Sequence, residues 1–385
     1  PVVTGEEVGD VRDDQFVRVI ARPPVPGMTS DQVVRGFLEA SASFQDDYAV
    51  ARSYLTEAAA AAWNPDEGVR VYDSGTSTLT PASETTEVLA APLVGTISAA
   101  GEYLVAAPGS KLREPIGLGR VDGEWRITVP PPGLLLSRGD VERGYRTFDV
   151  YFLDPSYTTL VPDPLTVRVS GPGLATTLVR ALLRGATGWL APAVRTAFPD
   201  GTGLAIDSVP VEGGVAQVAL DPRVLVADDR TREALSAQLV WTLSALPDVT
   251  GVRITVAGQP LQVPGQGAVQ PRTAWPQYDP DALPASAVGY VVDDGRVLRL
   301  GADRPVPVVG AAGTGAVPLE SAAVSLDGAE VAGVSTDRRR LLAARTTVGS
   351  PLALRATGTE LLTPGYGRDG SLWWVDAGVG VRTAA

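Results

Sequence analysis

The chain has 385 residues, enough for two or three domains, and its 44% hydrophobic and 20% charged residues make an ordinary globular balance. It holds no Cys, no His and a single Lys, Lys111, which excludes disulfides, thiol nucleophiles, Cys- or His-based zinc sites, haem on a proximal His and every His-dependent triad or proton shuttle. The net charge of −12 is the wrong sign for a phosphate backbone, so no nucleic-acid partner is expected.

Gly (42) and Pro (32) exceed ordinary usage and point to turn-rich β structure. No uncharged apolar run approaches the ~18 residues of a membrane span. The chain begins Pro1-Val2-Val3 without Met and is expected to be a processed or trimmed product.

Residues 1–28 read as an N-terminal arm, with an extended strip over Phe16–Ile20 and a stiff Pro-rich connector, Pro23-Pro24-Val25-Pro26-Gly27. Residues 29–132 read as an α+β domain. Thr29 and Gln32 have capping-box spacing, and Val33, Phe37, Ala40 and Phe44 follow the helical period. A second helix is expected from Asp46 through the Ala-rich run to Trp63, where Asn64-Pro65 stops it. From Val69 to Val129 the pattern is strand-like, and Asp122-Gly123 marks a hairpin.

Residues 145–265 read as a second, mixed unit. Phe148–Leu153, Leu165–Val169, Leu204–Val211, Val215–Leu220 and Val252–Val256 are expected strands. Helices are expected over Gly173–Gly185 and from a cap at Asp228 or Asp229 to Leu246, giving a β-rich α/β sandwich. Residues 266–284 read as a linker that wraps a surface.

Residues 285–385 read as β throughout. Ser325-Leu326-Asp327-Gly328 is echoed by Gly367-Arg368-Asp369-Gly370, with Asp327 and Asp369 42 positions apart, and Asp293-Asp294-Gly295 is a weaker earlier copy. A period of ~40–45 residues with such turns is that of propeller blades, and this segment holds about two of the four or more that closure needs. A partial, truncated propeller is therefore expected.

Chemistry is sparse. Asp154, Asp163, Asp200, Asp207 and Asp221 offer paired carboxylates, yet each sits beside Pro or Gly or at a strand end, where Asp forms turns. Asp46-Asp47, Asp228-Asp229 and Asp293-Asp294 lack calcium-loop spacing and fit helix starts and turns. Gly171-Pro172-Gly173 lacks the pattern of a phosphate loop, and the hydroxyls have neither His nor a Ser-x-x-Lys partner. Arg338-Arg339-Arg340 reads as a solvated turn. No catalytic, cofactor or metal site is assigned. The candidate interaction residues are the aromatics Trp189, in a loop after Gly188, Trp275, in the linker, and Trp373 and Trp374, adjacent on a strand and so on opposite faces.

Asp149–Leu153, Leu178–Gly185, Gln238–Leu243 and Val249–Ile254 together resemble the GerMN domain of sporulation and germination proteins, with Gly185-Ala186 where that family has Gly-Pro. Val34–Ser41, Asp47–Thr56 and Trp63-Asn64-Pro65 resemble the N-terminal module of the actinobacterial LpqB lipoprotein family, and the segment after the GerMN-like part resembles the start of that family's β-propeller. The first module is also similar to NTF2-like or cystatin-like domains.

The resemblance implies a non-enzymatic lipoprotein with no cofactor, exported and held on the outer face of the cell membrane by a lipid anchor absent from this chain. It implies a partner in the extracellular domain of a sensor histidine kinase of the MtrAB two-component system. The competing reading is a binding module for cell-wall glycan or peptide, and a lined cavity near Tyr48, Tyr103 or Trp125 would favour it. An enzyme with two carboxylates in one cleft and a purely structural scaffold are the remaining rivals.

Overall fold

The computed structural model describes residues 21–169, 173–283 and 287–384, and it divides after Pro280 into two compact units. The strip expected over Phe16–Ile20 and the Gly171-Pro172 turn lie outside the described residues.

The first unit opens with α1 (Ser30–Ser41), α2 (Gln45–Ser53) and α3 (Glu57–Ala62). The capping-box reading holds at α1, where Thr29 N donates to Gln32 Oε1 at 3.0 Å. The single second helix does not. The chain breaks at Tyr54–Thr56 because Leu55 bridges Ile127, with Ile127 N to Tyr54 O and Thr56 N to Ile127 O both 2.9 Å. Thr56 then caps α3 by accepting from Ala59 N.

Strands β1 (Gly68–Tyr72), β2 (Thr78–Ser83), β3 (Thr86–Ser98), β4 (Tyr103–Val105), β5 (Lys111–Val121), β6 (Glu124–Val129) and β7 (Leu134–Ser137) form one 7-stranded sheet of order β6-β5-β3-β1-β7, with β2 and β4 also on β3. The Asp122-Gly123 hairpin joins β5 to β6 as expected. The first domain does not end at residue 132. Gly133, at φ +62°, turns the chain back, and β7 runs parallel to β1 with Leu134, Leu135 and Leu136 buried. Strands flanked on both faces tolerate such an unbroken apolar run. The helices cover the sheet, and Trp63 fills the space between them, edge-on to Phe37 at 5.3 Å and to Tyr48 at 5.7 Å.

After α4 (Arg138–Gly144) comes the second domain, opening on the antiparallel pair β8 (Tyr145–Leu153) and β9 (Leu160–Arg168). Then follow α5 (Leu174–Arg184), β10 (Val211–Glu212), β11 (Val215–Leu220), α6 (Asp229–Ser244), β12 (Gly251–Val256), β13 (Gln259–Pro260) and β14 (Gln270–Pro271). The strand expected over Leu204–Val211 shrinks to β10 and an isolated bridge, Leu204 with Leu220; Pro210, with no N–H to give, interrupts the ladder. β11 and β12 pair in parallel across α6, which packs on β8 and β12.

The polar residues of α6 are buried but partnered. Gln238 accepts from Ala197 N at 2.8 Å and donates to Tyr151 O at 2.9 Å, and Thr242 accepts from Tyr151 N at 3.1 Å. Buried polar atoms are tolerated on such terms. Residues 266–278 are not a surface wrap. Gln270 lies buried in β14, and Trp275 and Tyr278 belong to the core.

The second unit, from Asp281, carries three antiparallel sheets. The first is β15 (Tyr290–Asp293), β16 (Arg296–Arg299) and β17 (Val306–Pro307). The second is β18 (Leu319–Val324), β19 (Glu330–Ser335), β20 (Arg340–Arg345) and β21 (Ala353–Thr357). The third is β22 (Gly365–Tyr366), β23 (Leu372–Asp376) and β24 (Gly380–Ala384).

The Asp-Gly turns at 294–295, 327–328 and 369–370 each join the first and second strands of a sheet, so the repeat read in the sequence is one structural position repeated. The middle sheet is buried on both faces: Val331 and Leu342 pack toward β16 and β18, while Ala332, Leu341 and Ala343 pack toward Leu361 and Leu372. That is how a blade sits between neighbours.

Candidate functional site

The first and second domains meet in a fixed joint inside the first unit. Thr166 N donates to Gly101 O at 2.8 Å, Arg184 Nη2 to Ala100 O at 3.0 Å, and Arg168 lies 3.7 Å from Asp66. The Arg168 guanidinium also stacks 4.2 Å from the centroid of Phe44. Gly101 is at φ +92°, and a Cβ there would meet Leu165 Cβ at 3.4 Å, so this β3–β4 turn is shaped to the joint.

Beside the joint opens a groove of about 910 Å³. One wall comes from the first domain: Val94 of β3 and Tyr103 and Leu104 of β4. Another comes from α4, with Arg138, Val141 and Glu142. The third belongs to the second domain: Tyr145 and Thr147 of β8, Pro164 and Thr166 of β9, and Trp189. The volume is that of a ligand pocket, and the lining is mainly apolar with a few charges, as binding sites are.

Two residues give the groove its character. Trp189 is 62% exposed and Leu104 54% exposed, a high exposure for large apolar groups that share one cavity. Trp189 is held out by its loop. Buried Asp163 of β9 accepts from Thr187 N at 2.7 Å and from Thr187 Oγ1 at 2.8 Å, and Thr187 O in turn accepts from the amides of Leu190 and Ala191. No cation pairs with Asp163 among the described residues, so a buried carboxylate is committed to fixing two residues upstream of the tryptophan. Its neighbour Asp149 has its pKa raised, first by burial and then by the charge of Asp163. The Tyr145 hydroxyl on the groove is pushed up by burial, against the opposing charge of Arg168.

Of the candidate aromatics, Trp189 lines the groove. Trp275 is removed from the surface: it is 4% exposed, its Nε1 donates to Gln270 Oε1 at 2.8 Å, and its ring lies edge-on to Tyr278. In β23 of the second unit, Trp374 packs against the cluster around Leu341 and Leu372, while Trp373 faces outward at 45% exposure with Nε1 donating to Ser371 Oγ at 2.7 Å.

Four of the five aspartates considered for catalysis are taken up by structure, Asp163 in the clamp on Thr187. Asp154 accepts from Ser156, Thr158 and Thr159, bonds that outweigh the effect of burial and lower its pKa. Asp207 pairs with Arg180, and Asp221 with Arg223. Asp228 caps α6 through Thr231 N at 2.8 Å. No group of three or more metal-ligating side chains occurs among the described residues, and no described helix is long and apolar enough to cross a membrane.

Of the aromatics that a ligand cavity would use, Tyr103 is on the groove. Tyr48 is buried in the first core, and Trp125 is stacked 4.5 Å from Arg120. The sequence reading missed Leu104, Glu102, Glu142 and Arg138, because the groove walls come from separate stretches of two domains and no linear motif carries them.

Comparison with known proteins agrees with this division. Residues 23–142 match the family model "Lipoprotein LpqB, N-terminal domain", residues 149–262 match "Sporulation and spore germination", and residues 295–385 match "Lipoprotein LpqB beta-propeller domain". Lipoprotein LpqB of Thermobifida fusca is 36% identical over 94% of this chain and 60% of its own length. That of Mycolicibacterium smegmatis is 30% identical over 96% of this chain and 67% of its own length. The chain spans about three fifths of the T. fusca relative and of the Cutibacterium acnes one, the latter 33% identical with 61% covered.

Among solved structures, the first GerMN domain of the sporulation protein GerM from Bacillus subtilis is similar to 33% of this chain over 92% of its own, at 18% identity and a TM-score of 0.26. With an N-terminal module, a GerMN domain and propeller sheets in the order of its relatives, the chain belongs to the LpqB lipoprotein family.

Proposed function

We propose that this chain is a non-enzymatic, lipid-anchored protein of the outer face of the cell membrane, which docks on the extracellular domain of a sensor histidine kinase and biases its signalling equilibrium. The observation that supports this most is the groove itself: a hydrogen-bonded pair of domains that offers Trp189 and Leu104 to solvent beside Glu102 and Glu142, which form no ion pair among the described residues. A partner shifts such an equilibrium only by binding one receptor state better than the other.

The test is a titration of the chain with the purified kinase ectodomain at two salt concentrations, with and without residues 281–385. Saturable binding at micromolar concentration or tighter is expected, and its absence refutes the reading. A second reading, a binder of cell-wall glycan or peptide, is favoured by Tyr103 lining the cavity beside an exposed tryptophan and two carboxylates. Soluble peptidoglycan fragments are the titrant that tests it.

A further inference from the structure

The groove has a feature that a plain apolar pocket lacks. Tyr103 and Leu104 both line it, yet adjacent residues of a strand point to opposite faces. The groove therefore runs across the edge of β4 rather than along one face of the sheet.

Among the described residues that edge is open: β4 pairs there with β3 alone, in register Gly95 with Val105, Thr96 with Leu104 and Ile97 with Tyr103. Ala106 N bonds Val94 O and Ser98 N bonds Glu102 O, so the alternate residue Leu104 faces β3 with its backbone, while the N–H and C=O groups of Tyr103 and Val105 face outward. Val105 is 79% exposed. Unpaired edge groups are a template for another strand.

Three of the charges bordering the edge form no ion pair among the described residues. Glu102 and Glu142 line the groove and make no ion pair among the described residues. Arg138 is likewise unpaired there, while Arg146 Nη1 is turned to the carbonyls of Glu142 and Tyr145, at 2.8 Å from each. The lining thus carries two carboxylates and two guanidiniums, and the carboxylates of Glu102 and Glu142 are the groups left to face a cationic side chain.

We infer that the groove binds an extended polypeptide segment by strand addition to the outer edge of β4, with an aliphatic or aromatic side chain of that segment anchored between Leu104 and Trp189 and a neighbouring Lys or Arg facing Glu102 and Glu142. Main-chain bonds to Tyr103 and Val105 supply affinity, and the anchor pocket supplies selectivity, as in strand-addition recognition generally. Aliphatic walls from Val94, Leu104 and Val141 suit an apolar side chain better than a sugar ring. The inference rests on the groove being the docking face, as proposed above, but not on the kinase being the partner.

A random display library of short linear peptides is the probe, selected on the wild-type chain and counter-selected on Trp189→Ala. Trp189 is exposed, so that variant is expected to keep its fold. Retained peptides are expected to carry an apolar residue beside Lys or Arg. Synthetic versions are expected to lose about tenfold or more in affinity on Trp189→Ala, as hot-spot aromatics do. Val105→Pro, which deletes one outward N–H and leaves the side-chain pocket, is expected to give a comparable loss. Glu102→Gln with Glu142→Gln is expected to slow association and flatten its salt dependence. In the wild type, bound peptide is expected to protect the Tyr103 and Val105 amides from hydrogen exchange, a readout that needs no variant.

The inference is overturned if no peptide distinguishes wild type from Trp189→Ala, if the retained peptides are acidic, or if those two amides stay unprotected while peptide is bound. It is equally overturned if peptidoglycan saccharides, and not peptides, occupy the groove. Peptides that meet every expectation beside a kinase ectodomain that does not bind would remove the proposed function and leave this inference standing.

Discussion

In the second domain, Leu178, Leu235, Val240 and Val252 are fully buried in one continuous cluster that runs from Val150 to Tyr278. In the second unit the buried apolar residues fall into two small clusters, one on each face of the β18–β21 sheet, and the outer sheets leave Val306, Trp373 and Val381 exposed. A residue in the first arrangement touches a core that closes on itself. A residue in the second supports one sheet-to-sheet contact only, as in arrays whose stability adds up between nearest neighbours.

The largest effects follow from that contrast. Leu235→Ala empties a fully enclosed site in α6 and is expected to cost about 3–5 kcal/mol. Leu341→Ala, between two sheets that can close up, is expected to fall near the lower end, about 2 kcal/mol, and to leave the first unit unchanged. Hydrogen exchange separates the two: amides of α5 and α6 report the first, those of β19 and β20 the second. Equal losses would mean that the second unit packs as tightly as the first.

A middle-sized effect sharpens the comparison within the first unit, between core and groove. Asp163→Asn keeps shape but turns an acceptor into a donor opposite Thr187 N or Oγ1. A buried donor left without an acceptor costs about 1–3 kcal/mol. The expected result is a lowered melting temperature together with a mobile Trp189 indole, read by NMR relaxation. Thr187→Val removes only the Oγ1 bond and is expected to do less. A destabilised protein with Trp189 still rigid would show that the clamp serves the core alone.

How much of this was legible varies with how local the cause is. The α1 cap, the Asp122-Gly123 hairpin and the repeated Asp-Gly turns depend on a few neighbouring residues and are legible in the sequence, which also narrows the α6 cap to Asp228 or Asp229, of which Asp228 makes it. Three misreadings share one source, tertiary contact overriding composition. The Ala-rich helix was split by the Leu55–Ile127 bridge. The Pro- and Gly-rich stretch after residue 265 passed for a linker although Trp275 and Tyr278 carry it into the core. The expected boundary at residue 132 excludes Leu134–Leu136, although three consecutive leucines after a glycine are themselves a signal of a strand covered on both faces. The groove was the least legible. Trp189 was named from its loop, but what surrounds it depends on the joint between two domains, which no single stretch of sequence describes.

The smallest expected effect concerns pH and again sets the two regions apart. In the second unit Asp327, Asp337, Asp369 and Asp376 all have lowered pKa values. Hydrogen bonds from the hydroxyls of Ser325, Ser335, Ser371 and Thr359 come first among the causes, and backbone amides add to them. A carboxyl whose folded pKa lies below its unfolded one stabilises the fold above the ordinary value of about 3.9, and that stabilisation is lost as pH falls through the folded value. Asp149 of the second domain has the opposite sign, because burial and Asp163 raise its pKa. Its ionised form is disfavoured by folding, so its contribution is complete at low pH and is lost as pH rises through the raised value. Urea midpoints followed on β19 and β20 amides are therefore expected to hold steady above about pH 5 and to fall at lower pH. An Asp149→Asn variant is expected to relieve the second domain at neutral pH and to make no difference in acid. The Asp376→Asn variant is expected to lose less in acid than the wild type, since Asn cannot titrate; a loss of equal size would show that Asp376 is not among its causes.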